Sequence, residues 1–173
     1  NLNLFDAQIV SRYGGSIRCV VSKKKISPTE RLQTLIDKEK DYLITNSAKT
    51  YDSFVSNIIS SKTNLFNKIV ELKSQNKKII GKSCPARAVV LLNYCNLDNT
   101  HLEYIAEQPT SLKLDYYVPG TGLKIVNDDL IKDDQPDYVL LLAWHLSKPI
   151  IDKWKKRGLK SKFIVPLPKV KII

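Results

Sequence analysis

Residues 77–95, KKIIGKSCPARAVVLLNYC, decide the fold. Residues 78–80 read as a strand, Gly81 opens a tight turn, and Pro85 begins a helix, where its missing N–H would have had no intrahelical partner. Apolar residues stand on nearly every side of 86–94 (Ala88, Val89, Val90, Leu91, Leu92), so this helix is expected to be buried on more than one side. A strand, a turn of small residues and a helix N-terminus make an anion site, because backbone N–H groups and the helix dipole both favour negative charge. Arg87, in the first turn, adds a fork of donors for a phosphate. An ordinary β–α turn that binds nothing is the equal alternative, since the glycine-rich fingerprint of dinucleotide sites is absent.

The alternation continues downstream. Residues 102–106 (LEYIA) read as a short strand with Glu107 at its C-terminal end, where a carboxylate either receives a ribose hydroxyl or faces solvent. Pro119-Gly120 fits the centre of a type II turn. Residues 123–126 form a short strand and 128–132 a short helix. The run 138–144, YVLLLAW, has the composition of a strand buried on both faces of a parallel sheet. Ser147 caps a helix through Trp154 to about Arg157, Gly158 stops it, and 162–165 is a last strand leading into Pro166-Leu167-Pro168. From residue 77 the order is β-α-β-β-α-β-α-β, which predicts an α/β fold: a Rossmann-like open, mostly parallel sheet with flanking helices. Ligands of such sheets bind beyond the carboxyl ends of the strands. That edge gathers 81–88, Glu107, 119–121, Trp144 and His145. His145 is the best-placed titratable group, either a catalyst or a hydrogen-bonded structural residue; Trp144 is either core or a stacking platform.

A β-hairpin and two helices precede this sheet. Residues 4–9 and 17–21 are strand-like, and Gly14-Gly15 between them is a strong turn signal. Ser16 and Arg18 share a face of the second strand and offer donors to a ligand or to solvent. Ser27 is the expected N-cap of a helix over 28–43, with Pro28 at its first position and Glu30 as capping-box partner. Its apolar stripe is Leu32, Leu35, Ile36 and Tyr42. A break at 46–50 separates it from a second helix over 51–74.

Composition bounds the rest. The 173 residues carry a net charge of +11, which suits anionic partners. The lysines lack the patterns of nucleic-acid readers, so nucleic acid is not the expected partner. No run approaches the roughly 18 apolar residues of a membrane span. Three cysteines without CxxC spacing predict a reduced, cytoplasmic setting, and with two histidines no metal centre is visible. The opening NLNLFDAQIV enters directly into strand-like alternation and is expected to continue a larger protein.

Five segments carry a family resemblance: Tyr13-Gly14-Gly15-Ser16-Ile17-Arg18; 81–95, ending in Leu91-Leu92-Asn93-Tyr94-Cys95; Val118-Pro119-Gly120-Thr121; Pro136-Asp137-Tyr138 through Leu142-Ala143-Trp144; and Phe163-Ile164-Val165-Pro166-Leu167-Pro168. Together they resemble the C-terminal half of the SAM-dependent sugar C-methyltransferases, which methylate a keto-deoxysugar carried on a nucleoside diphosphate, commonly dTDP. The resemblance implies that residues 1–25 close an upstream SAM-binding domain, that 26–50 connect, and that 51–173 form a Rossmann-like C-terminal domain. SAM, and a zinc site if there is one, would belong upstream. The expected partners are the nucleotide-sugar substrate and the upstream domains of the same polypeptide. Ser16, Arg18, Ser83, Cys84, Pro85, Ala86, Arg87 and Thr121 are the expected substrate contacts, with His145 the catalytic candidate and no cofactor or metal ligand inside the chain.

The chain departs from the family pattern at Tyr13 (usually His), His145 (usually Asn) and Glu107 (usually Asp). The family turn Gly-x-Gly-Ala-x-Ala-Lys-Gly appears as Gly81-Lys82-Ser83-Cys84-Pro85-Ala86-Arg87-Ala88. Side chains at Ser83 and Ala88 limit how closely a phosphate approaches the backbone, and Arg holds an anion differently from Lys. A non-catalytic Rossmann-like module that has lost nucleotide binding is the alternative.

Overall fold

The computed structural model describes residues 1–11 and 15–173. Tyr13, Gly14 and the tip of the expected hairpin turn lie outside the described residues. The chain divides into two compact units, Asn1–Asn57 and Ile58–Ile173.

In the first unit, β1 (Asn3–Val10) and β2 (Ser16–Ser22) pair antiparallel, with a register shift between Leu4 and Asp6. The helix α1 (Glu30–Lys40) lies against β1 and buries Leu32. Its N-cap is Thr29, not Ser27: the Thr29 hydroxyl accepts the Leu32 N–H at 3.2 Å and donates to Asp6 at 2.7 Å. The backbone N–H of Thr29 donates to Phe5 O, so tertiary bonds to β1 set the start of the helix. Arg31 forks onto Asp6 and Gln8 and, with Thr29, holds the Asp6 carboxyl below the usual range. A π-helical turn, Asp41–Thr45, follows α1 and leaves Tyr42 exposed rather than in the apolar stripe. The expected break at 46–50 shrinks to Asn46, whose N–H closes that turn on Asp41 O while its carbonyl accepts from Thr50. The helix α2 (Ser47–Ser74) therefore begins four residues before the expected start.

The second unit contains the rest of α2 and a six-stranded sheet. Its elements are β3 (Ile79–Lys82), α3 (Ala86–Tyr94), β4 (Ile105–Glu107), β5 (Ile125–Asn127), α4 (Leu130–Asp134), β6 (Tyr138–Leu141), α5 (Ser147–Lys156), β7 (Lys162–Val165) and β8 (Lys171–Ile172). Strand order is β5-β4-β3-β6-β7-β8, parallel throughout except for β8 against β7. This is the expected mostly parallel sheet.

The β6 run shows why the fold holds. Tyr138, Leu140 and Leu142 pack into the core beneath α2 and α3, while Val139 and Leu141 pack into the opposite core with Ile151 and Trp154 of α5. Side chains alternate across a strand, so a strand with cores on both faces needs an apolar residue at every position. Each fully buried Leu or Ile contributes about 1.5–3 kcal/mol.

Several local expectations are corrected. Gly81 lies inside β3, where a Cβ would run into Ile105 and meet Leu142 at 3.1 Å, so close packing rather than a turn calls for glycine. Pro85 is the N-cap of α3 in extended conformation (φ −68°, ψ 159°), one position before the helix it was expected to begin. That helix buries one face, with Ala88, Leu91 and Leu92 inside and Val90 exposed. The strand expected over 138–144 ends at Leu141 because Ala143 leaves extended backbone (φ −100°, ψ 53°). A 3₁₀ turn, Trp144–Leu146, then feeds directly into α5, so Ser147 is its first residue and not its cap. The helix expected over 128–132 lies at Leu130–Asp134. The two-residue β8 was not foreseen; it is too short to show a pattern.

Candidate functional site

The order of the parallel strands reverses at β3: the chain steps to β4 and β5 on one side, then crosses to β6 and β7 on the other. Loops leaving the carboxyl ends of β3 and β6 consequently diverge, α3 onto one core and α5 onto the other. The crevice between them is where open α/β sheets bind ligands.

The β3–α3 turn is built from Ser83, Cys84 and Pro85. Ser83 takes φ +69°, a left-handed conformation that suits glycine, and its N–H extends the β3–β4 ladder to Ala106 O at 2.9 Å. The Cys84 N–H donates to Glu107 Oε2 at 2.8 Å, and the Cys84 carbonyl accepts from Lys113 Nζ at 2.6 Å. Glu107 Oε1 accepts the N–H of Gln108 at 2.9 Å. Glu107 is thus the last residue of β4, with its carboxylate turned back onto the turn. Cys84 contributes its backbone; its buried thiol is pushed up by burial, against the pull of Lys113 and with a push from Glu107. Pro85 has no N–H to offer. The turn therefore presents fewer backbone donors than a glycine-rich phosphate loop does.

Arg87 projects from the first turn of α3. Its guanidinium carbon lies 5.7 Å from the centre of the Trp144 ring, and Nη1 is 3.4 Å from His145 Nδ1. A guanidinium can only donate, so Nδ1 is the acceptor in this contact. Burial, then the Arg87 charge, hold the His145 pKa below its ordinary value. One turn of α3 and the loop after β6 thereby form a cationic clasp with an aromatic floor.

Below the turn, on the α5 side, Lys82 Nζ lies 3.0 Å from Asp128 Oδ2, with both side chains buried. Lys82 also donates to Ala106 O at 3.3 Å and stands over the Trp154 ring. Asp128 Oδ2 accepts no well-oriented hydrogen bond among the described residues, so the lysine charge is what compensates it.

The other candidates lie elsewhere. Thr121 follows the expected turn, in which Gly120 has φ +77° and the Thr121 N–H bonds Val118 O at 3.2 Å. Its buried hydroxyl donates to Val118 O and accepts from Leu123 N, closing the loop on itself. Ala86 is exposed at the start of α3. Ser16 and Arg18 belong to the first unit, opposite Val10 and Gln8 in the hairpin. Glu107 was foreseen at the edge, but not its grip on Cys84. Lys113 and the Lys82–Asp128 pair were not foreseen. Lys113 sits in the loop over 108–124 with no local motif, and a lysine at a strand end reads as solvated.

Among the described residues no three His, Cys, Asp or Glu side chains gather to hold a metal ion, and no helix is long and apolar enough to cross a membrane.

Comparison with known proteins adds two findings. Residues 11–168 match the family described as C-methyltransferase C-terminal domain. The C-methyltransferase NovU of Streptomyces niveus is 31% identical over 102 residues, covering 58% of this chain and 24% of that protein. The aligned part is thus about a quarter of that relative's length.

Proposed function

Because this chain belongs to the C-methyltransferase C-terminal domain family, we propose that it is the substrate-side part of a SAM-dependent C-methyltransferase and binds a nucleoside-diphosphate keto-deoxysugar. The observation that carries the reading is the Arg87–Trp144–His145 clasp at the strand-order reversal. Its forked guanidinium suits a pyrophosphate, and the aromatic floor holds the guanidinium in place.

In such a reaction a base removes a proton from the carbon alpha to the keto group, and the resulting enolate carbon takes a methyl group. S-adenosylmethionine, bound outside this chain, supplies that methyl as an electrophile. The residues described here bind the diphosphate, orient the sugar and exclude water. The hairpin of the first unit is assigned to the closing strands of the upstream domain, the helices over 26–50 to the connection, and the setting to the cytoplasm. Of the expected contacts, Arg87 is assigned the pyrophosphate, with Ser83 to Ala86 shaping its approach; Ser16 and Arg18, in the hairpin of the first unit, are assigned substrate contacts of their own. Thr121 is assigned to loop closure, which supports the crevice indirectly.

Calorimetric titration of the 173-residue chain with dTDP, UDP and SAM tests the reading. A nucleoside diphosphate should bind, SAM should not, and Arg87→Ala should weaken the diphosphate about 10–100-fold, the range for losing a charged hydrogen-bonding partner. Absence of diphosphate binding, or indifference to Arg87→Ala, overturns it. The second reading, a non-catalytic module, is favoured by the Glu107 carboxylate on the Cys84 N–H, which takes a donor that a phosphate would need.

A further inference from the structure

Charge is unevenly spread along the chain. Residues 148–173 hold nine of the 28 lysines and arginines and one of the 17 acidic residues, so +8 of the net +11 lies in this last part. Helix α5 runs from the carboxyl end of β6 back to the amino end of β7. It thereby carries Lys155 and Lys156 of its last turn, and then Lys160 and Lys162, to the amino edge of the sheet, opposite the crevice. All four are exposed. Cations in the last turn of a helix complement its dipole, which accounts for Lys155 and Lys156. Lys160 and Lys162 lie beyond the helix, where that reason does not apply.

There Lys160 and Lys162 line a groove of about 570 Å³ with Lys77, Asp137 and Tyr138. Their backbone is pinned. The Lys160 N–H donates to Gln135 Oε1 at 3.2 Å, the Ser161 hydroxyl to Pro136 O, and the Lys162 N–H to Asp137 O at 3.0 Å. The acids beside the groove are already matched, Asp137 by Lys77 at 3.3 Å and Asp134 by Lys78. Lys155, Lys156, Lys160 and Lys162 form no ion pair among the described residues. An unmatched cluster of one sign repels itself, and an anionic partner relieves that repulsion.

The surface chemistry narrows the partner. Arg157, the one guanidinium of this last part, lies 4.7 Å from the centre of the Trp154 ring and pairs with Asp129 at 3.3 Å, so the fork that suits phosphate is engaged. Tyr138 packs against the core, and Trp154 and Leu159 are buried. Residues 153–162 therefore expose neither a platform for stacked bases nor an apolar side chain to enter a membrane. What remains is a set of flexible ammonium point charges beside a concave floor, which suits carboxylates on a protein segment.

We propose that the amino edge of the sheet, at Lys155, Lys156, Lys160 and Lys162, is a docking surface for an acidic peptide segment of a partner protein. Fluorescence anisotropy of a labelled oligoglutamate on the 173-residue chain tests it. The peptide should bind at low salt and weaken as salt rises, because exposed charges are screened. The triple variant Lys155→Glu, Lys160→Glu, Lys162→Glu should weaken it about tenfold or more, three exposed pairs being lost. The control Lys23→Glu, Lys24→Glu, Lys25→Glu changes the net charge equally and should leave binding within about twofold; far-UV circular dichroism checks that both variants are folded. Equal losses in the two variants overturn the proposal, since binding then follows net charge alone. Failure of oligoglutamate to bind at low salt also overturns it. So does tighter binding of an oligothymidylate or of phosphatidylserine vesicles, which would give the surface to nucleic acid or to a membrane. Each outcome is separate from diphosphate binding, which is assigned to the opposite edge of the sheet.

Discussion

Lys82→Met removes a charge and keeps most of the side chain's length and volume. Lys82 is 5% exposed and Asp128 1%, and the ammonium lies 3.0 Å from Asp128 Oδ2. In the variant the carboxylate stays buried without a counter-charge, because its Oδ2 has no other well-oriented partner among the described residues. Coulomb attraction at this distance, with an effective dielectric constant near 20, is about 5 kcal/mol. Removing one member of a buried pair typically costs about 3–5 kcal/mol, since the remaining charge has lost its solvation in exchange for nothing. A domain has only about 5–15 kcal/mol of stability, so the variant should be close to its limit.

Urea unfolding followed by circular dichroism measures the loss. Lys82→Met should lower the unfolding free energy by about 3–5 kcal/mol. Adding Asp128→Asn should restore a good part of it, because a neutral amide is cheaper to bury than an isolated carboxylate. A loss below about 1 kcal/mol for the single variant, the worth of an exposed pair, would refute the reasoning. So would a double variant no more stable than the single one, since then the cost would not be that of an uncompensated charge.

Two further predictions concern the crevice. Ser83 holds φ +69°, which costs an L-residue about 1–2 kcal/mol; glycine gives back about 0.4–1 kcal/mol through its looser unfolded state. Ser83→Gly should therefore stabilise the chain by roughly 0.5–1 kcal/mol in urea, and a clear loss would show that the Ser83 side chain makes a contact worth more than the strain. His145, with its pKa held below 6.5 by burial and by Arg87, should titrate below that value by NMR, and Arg87→Ala should raise its midpoint. Because the folded value is the lower one, the stability linked to neutral His145 is present above the unfolded pKa and is lost as pH falls through the folded pKa. A midpoint at or above 6.5 contradicts the clasp.

The sheet was legible because its signals are local and redundant. An unbroken apolar run at 138–144 can only be a strand covered on both faces or a buried helix, and its brevity and flanking Pro136-Asp137 decide for the strand. Residues 162–165 were read with their true limits. What failed were readings that a single residue type seemed to decide. Gly81 read as a turn because glycine usually punctuates; the structure uses it because Ile105 and Leu142 leave no room for a side chain. Ser27 satisfied a capping box on paper, but bonds from Thr29 to Phe5 and Asp6, more than twenty residues away, move the helix start. Lys113 has no local signature, since its role is a contact to a carbonyl 29 residues earlier.

The same distinction explains the crevice. Read singly, the changes in the β3–α3 turn look like the decay of a phosphate loop: a serine for a glycine, a proline with no N–H, an arginine for a lysine. In the structure they are connected. Ser83 keeps the left-handed backbone that a glycine would have supplied. Glu107 takes the Cys84 N–H that such a loop would have offered to an anion, and Arg87 reaches over Trp144 to His145 instead. On the proposed reading, with backbone donors withdrawn and a forked cation set beside them, anion recognition falls to a side chain. Binding that is lost in Arg87→Ala and unmoved by Ser83→Gly would be the mark of that arrangement; the reverse would return the anion to the backbone of the turn.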